Sequence, residues 1–225
     1  MAPVLRSEDE RIQFFDDCVP PGIDRELGLI VVEAFRAAAD FCEPRYDPKD
    51  SHDFRGYMRR AEIESHLSRV VALSPGLVLV SKPPNINGTW FHTEVRSGPV
   101  IITSSRVDFP GCPIRQARFR YSLAQSCQLN LFTDNEDNGI PEDAALYAVL
   151  IYGKHPERVD APGFAKIVFP LPDGRYAHGI DLLLRYPDLR HSVSDVPAET
   201  IMSPTAITLR PQVRLRTQQE DGSGL

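Results

Sequence analysis

The sequence predicts an α+β protein, with N-terminal helices packed on a mainly antiparallel or mixed β-sheet. Three observations carry that expectation. Apolar residues follow helical spacing through much of residues 7–73. From residue 77 onward, β-rich runs are separated by Gly- and Pro-containing turns. Long helical patterns do not alternate with strands in the second half, which disfavours a parallel doubly wound sheet.

Ser7 and Glu10 form a capping-box signature for a short first helix ending before Pro20-Pro21. Asp24 is placed to cap a second helix, along which Leu27, Ile30, Val31, Ala34, Phe35, Ala38 and Phe41 keep helical spacing until Pro44. A third helix is expected over roughly 53–73, with Tyr57, Ala61, Leu67, Val70 and Val71 as its inner face. Ser74-Pro75-Gly76 stops it.

The runs "LVLVS", "TWFHTEVR" and "VIITSSRV" read as an antiparallel meander, with Asn87-Gly88 as a tight turn before the second run. Residues 113–127 fit a helix better than a strand, although Phe119, Tyr121 and Leu123 also alternate; a strand follows at Leu129–Phe132. "TDNEDNGIPED" is an acidic surface loop. "LYAVLIYG" is apolar throughout and is expected to be a central strand covered on both faces. "GFAKIVFP" and "RYAHGIDLLLRYP" are expected to form a hairpin through "LPDG", burying Ile167, Phe169, Ile180 and Leu182. The expected organisation is a helical region over 1–74, a β-rich core over 75–190 packed with it as one domain, and an irregular segment and tail over 191–225.

Composition narrows the function classes. The apolar fraction of 42% over 225 residues supports a core that needs neither disulfides nor metals. The opening "MAPVLRSEDER" has no apolar run behind a basic cap, and no stretch approaches the roughly 20 apolar residues of a membrane helix. A soluble, cytoplasmic protein with no membrane partner is expected. Its scattered cysteines, Cys18, Cys42, Cys112 and Cys127, are expected to be reduced thiols.

The net charge of −6 is uneven. Residues 1–44 hold 4 basic and 10 acidic side chains, whereas residues 45–125 hold 12 and 7, a local +5. The chain as a whole is therefore no indiscriminate polyanion binder, but its middle is a candidate anion-attracting surface.

No glycine-rich dinucleotide fingerprint, P-loop, nucleophile elbow or H-E-x-x-H motif occurs, and no cysteine spacing suits zinc. No cofactor and no metal ligand is assigned. His178 and Asp181, three apart, would point to opposite faces of a strand and do not make a metal pair. Asp181 sits in an apolar run and must be paired, hydrogen-bonded or functional.

Two zones remain. In "GTWFHTEVRSG", a strand places Trp90, His92, Glu94 and Arg96 on one face, successive residues about 7 Å apart. A carboxylate between an imidazole and a guanidinium can orient a base or hold an anion, and Glu62 or Glu64 can approach from the third helix. The stronger competing explanation is a solvent-facing sheet surface whose charges pair along and across strands. The second zone is arginine-rich: Arg55, Arg59 and Arg60 with Tyr57, then Arg115, Arg118 and Arg120 with Tyr121. Arginine beside aromatics suits phosphate and base contact, and Arg55 and Arg59 are expected to project together. Its competitor is pairing with the acidic N-terminal helices.

The favoured expectation is a binding or regulatory protein contacting a nucleic acid or protein through Arg55, Tyr57, Arg59, Arg60, Trp90, Arg115, Arg118 and Arg120. The alternative is an enzyme on an anionic or phosphate-bearing substrate, a metal-dependent nuclease among them, with His92, Glu94 and Arg96 as its catalytic residues. Whichever holds, EDTA or a mild reductant should leave the melting temperature unchanged by scanning fluorimetry. A fall of many degrees with either would contradict the self-sufficient core.

Overall fold

In the computed structural model, residues 7–82, 92–129 and 146–191 are described, and all of them belong to one unit spanning Met1–Ser194. The Asn87-Gly88 turn, Trp90, most of the expected 129–132 strand, the acidic loop and the tail lie outside the described residues.

Helices α1 (Glu8–Cys18), α2 (Ile23–Cys42) and α3 (Pro48–Leu73) come first. Strands β1 (Leu77–Lys82), β2 (His92–Ser97) and β3 (Val100–Arg106) follow, then α4 (Arg118–Leu129), β4 (Leu146–Lys154), β5 (Pro162–Val168) and β6 (Ile180–Asp181). Two single-turn helices, α5 (Leu182–Arg185) and α6 (Asp188–His191), close the described chain. The sheet order is β1-β2-β3-β4-β5-β6. Every neighbouring pair is antiparallel except β3 and β4, which are parallel. The α+β class is thus as the sequence predicts, with a mixed six-stranded sheet.

The capping box forms in full: Ser7 Oγ accepts from Glu10 N at 3.1 Å, and Glu10 Oε2 accepts from Ser7 N at 3.0 Å. Asp24 does not cap α2. That role falls to Gly22, whose φ of 88° suits a residue without Cβ. Asp24 is instead buried within the first turn, accepting from Tyr186 Oη at 2.5 Å and Arg185 Nη1 at 2.9 Å. Arg185 also grips Asp16 with both terminal nitrogens at 2.9 Å, so the chain end at α5 is tied to α1 and α2 by one guanidinium.

Helix α3 begins earlier than predicted, where Asp47 caps and Pro48 takes the first position. Its inner face also differs. Ser51, Arg59, Ile63 and Leu67 are buried, while Tyr57 is 65% exposed and Ala61 is exposed. Counting apolar residues misplaced the face because an arginine occupies a core-facing position.

The sheet is covered on both faces. Val95, Val100, Ile102, Leu146, Ala148, Leu150, Tyr152, Ala165 and Ile167 pack with α1, α2 and α3. Ile101, Tyr147, Val149, Ile151 and Val168 pack with Leu123 and Ala124 of α4. Strand β4 is central and buried on both faces, as its unbroken apolar run implies. Residues 113–117 precede the helix that the sequence places over 113–127; α4 starts at Arg118.

Ile167, Phe169, Ile180 and Leu182 are all buried. Leu182, however, belongs to α5, because Asp181 caps that helix by accepting from Leu183 N at 3.1 Å and Leu184 N at 3.2 Å. Asp181 also pairs with Lys166 at 3.1 Å, so the acid in the apolar run has its partners. Cys18, Cys42, Cys112 and Cys127 are free thiols, and burial pushes Cys127 up to about 12. Among the described residues no helix is long and apolar enough to cross a membrane.

Two outcomes follow from this packing. Ile180→Asp puts a carboxylate among apolar side chains opposite Ile167 and should prevent soluble expression, at a cost of about 4 kcal/mol or more. Thiol titration of native protein at pH 8 should leave Cys127 unlabelled until denaturant is added, because its thiolate is scarcely populated.

Candidate functional site

The β2–β3 hairpin turns through Gly98-Pro99. Gly98 takes φ 52°, and Pro99 holds φ near about −65°, a combination that fits a type II′ turn. From there the ladder pairs Ser97 with Val100, Arg96 with Ile101, and Val95 with Ile102, and then stops. Beyond this point β2 stays paired with β1 as far as His92, while β3 stays paired with β4 as far as Arg106. The sheet therefore splits between β2 and β3.

Antiparallel partners alternate between bonded and non-bonded pairs, so Thr93 and Ser104 would have formed the next bonded rung. Each half of that rung goes elsewhere. Thr93 N donates to Glu64 Oε2 at 2.6 Å, and Ser104 O accepts from Arg120 Nη2 at 3.1 Å. Ser104 Oγ donates to Glu64 Oε1 at 2.8 Å. A carboxylate from α3 and a guanidinium from α4 thus take over the opened rung. Glu64 accepts twice, while Arg120 also donates to Arg115 O at 2.9 Å.

Strand β2 presents the predicted face. His92, Glu94 and Arg96 are brought together, but against α4 rather than towards water. Glu94 is 0% exposed. His92 Nε2 lies 3.1 Å from Glu94 Oε1, and Arg96 Nη2 lies 3.9 Å from Glu94 Oε2. The His92 ring stacks on Phe119 at 3.8 Å between centroids. Deeper in, Tyr147 Oη and Thr103 Oγ1 share a hydrogen bond of 2.8 Å, and burial drives the Tyr147 phenol well above its ordinary pKa. Glu94 is therefore a clamped carboxyl group in a polar layer between sheet and helix. The sequence expectation of a wet sheet face is corrected: α4 covers it. Glu64, anticipated only as an acid near this strand, is a bonded part of the split, while Glu62 pairs with His66.

The arginine zone divides. Arg115 and Arg118 are exposed near the start of α4, whereas Arg120 turns inward. Arg55 donates to Ser51 Oγ at 2.8 Å and pairs with Glu43 at 3.6 Å, as the pairing with acidic helices implies. Arg59 is only 7% exposed: it donates to Val159 O at 2.5 Å and lies over the Phe35 ring at 4.1 Å. Arg55 and Arg59 share a face, as expected, but it is the inward one. Burial lowers the Arg59 guanidinium to about 10, and repulsion from Arg55 and Arg106 adds to the effect.

Arg106 and Lys154 went unnoticed in the sequence. They end β3 and β4, the parallel pair, where ligands of open sheets commonly bind. Lys154 Nζ donates to His52 Nε2 at 3.2 Å. One turn along α3, Gly56 faces Arg106; a Cβ there would lie 3.1 Å from Arg106 Nη1. Two signals pointed this way: each apolar β-run ends in a cation, and a glycine interrupts a long helix. Among the described residues no group of three His, Cys, Asp or Glu side chains is placed to hold a metal ion.

The chain matches no protein-family model, no curated protein and no solved structure. Its chemistry must be argued from these side chains.

Removing the bridge over the split should cost stability. Glu64→Ala leaves Thr93 N–H and Ser104 Oγ without their acceptor, and should lower unfolding free energy by about 3 kcal/mol. Glu64→Gln keeps one accepting oxygen and should lose roughly half as much, both read from urea unfolding. Equal, small losses would show that the strands re-pair without Glu64.

Proposed function

We propose that this chain is a nucleic-acid-binding protein whose basic surface lies where α3 crosses the ends of β3 and β4. One observation carries the reading: Arg106 and Lys154 converge on the same two turns of α3 that hold Arg55, Arg59 and Arg60. Burial is the main reason the Arg59 guanidinium is lowered, and Arg55 and Arg106 add repulsion that an anion beside them would relieve. The side chains with accessible donors are Arg106, 44% exposed, and Lys154. Arg59 contributes its charge from beneath. Tyr57 and Phe109, both exposed, flank Gly56 and Arg106 in sequence and offer faces on which bases can stack.

The alternative, an enzyme on an anionic substrate with His92, Glu94 and Arg96, draws on a single feature: Glu94 fixes one ring nitrogen of His92. Full burial of Glu94 and the stacking of His92 on Phe119 favour a clamp on α4 over a reacting centre.

Anisotropy of a labelled 20-nucleotide DNA strand tests the proposal. Binding should be measurable at low salt and fall steeply as salt rises. Arg106→Gln combined with Lys154→Gln should weaken it at least tenfold and reduce the salt slope by about 1.4, the value for two lost phosphate contacts on a single strand. An unchanged affinity in the folded double variant would contradict the assignment.

A further inference from the structure

We infer that the basic cluster beside α3 grips a terminal phosphomonoester, the 5′-phosphate end of a nucleic-acid strand, rather than the diester backbone along its length. The inference rests on the nucleic-acid reading above and names the part of the ligand that the cluster recognises.

The first argument is shape. The cations form a compact group, not a stripe. His52 and Gly56 are four apart on α3 and therefore lie one above the other on the same face. Lys154 is bonded to the first, and Arg106 lies against the second. The two strand ends thus bring one ammonium and one guanidinium to positions one helical turn apart on α3, with the Arg59 guanidinium buried nearby.

The second argument is the rim. Acids stand around this group: Asp53 lies 3.2 Å from His52, Asp108 lies 3.8 Å from Arg106, and Glu43 lies 3.6 Å from Arg55. A backbone running past this group would carry successive phosphates towards these carboxylates as well. A terminal phosphate concentrates about −1.5 to −2 of charge on one group. Three acceptor oxygens match the fork of Arg106 and the ammonium of Lys154.

The third argument is Gly56. Glycine in the middle of a long helix is destabilising relative to alanine, so its presence needs a local reason. Here the reason is room: a side chain at 56 would crowd the terminal nitrogen of Arg106.

The test compares one 12-nucleotide DNA strand, labelled at its 3′ end, with a 5′-phosphate or a 5′-hydroxyl. Anisotropy at low salt should show the phosphorylated strand binding the native full chain at least tenfold more tightly. Arg106→Gln and Lys154→Gln should each bring that ratio close to one. Gly56→Ala should raise the melting temperature while reducing the ratio, a combination that a purely structural role for Gly56 does not give. If wild type binds both strands equally, with steep salt dependence, the end-recognition inference falls and the nucleic-acid reading stands. If it binds neither, both fall. If Gly56→Ala raises the melting temperature and leaves the ratio untouched, the role given to Gly56 is overturned.

Discussion

The rest of the structure depends on one interrupted rung. Thr93 and Ser104 would bond each other in a continuous sheet, yet their backbone groups go to Glu64 and Arg120. Buried backbone donors and acceptors must find partners, so an open split is tolerable only because two charged side chains fill it. Those side chains come from helices on opposite faces of the sheet. The same contacts that seal the split fix α3 on one face and α4 on the other.

That fixing has consequences at distance. With Glu64 bonded to β2 and β3, the N-terminal half of α3 extends over the ends of the parallel pair β3 and β4. Turns 52–56 of the helix then meet Lys154 and Arg106. On the other face, α4 covers Glu94 with Phe119 stacked on His92 and Arg120 reaching the rung. On that face His92 and Arg96 flank the buried Glu94. The basic cluster beside α3 is an accumulation of like charge that a bound anion can relieve.

Much of this was legible in the sequence where local physics decides. The capping box of α1, the hairpin through Gly98-Pro99 and the doubly covered β4 follow from residue type and spacing alone. The clustering of His92, Glu94 and Arg96 also follows from strand alternation. Their burial does not, because it depends on a helix some 25 residues further along the chain folding back over them. Arg59 misled the reading of α3: a cation over an aromatic ring with a carbonyl partner can occupy a core-facing position that periodicity assigns to apolar residues. Arg106 and Lys154 were invisible as a pair because they meet only through α3, whose His52 and Gly56, one turn apart, contact them beyond the ends of β3 and β4.

The most direct measurement is a map of amide shifts in 15N-labelled protein as a short 5′-phosphorylated DNA strand is added. Binding at the basic cluster beside α3 predicts the largest changes at His52, Gly56, Arg106 and Lys154, with the amides around Thr93 and Ser104 little altered. Changes centred on His92, Glu94 and Phe119 would move the site to the other face of the sheet. Saturating DNA with no change at these four residues would contradict the account outright.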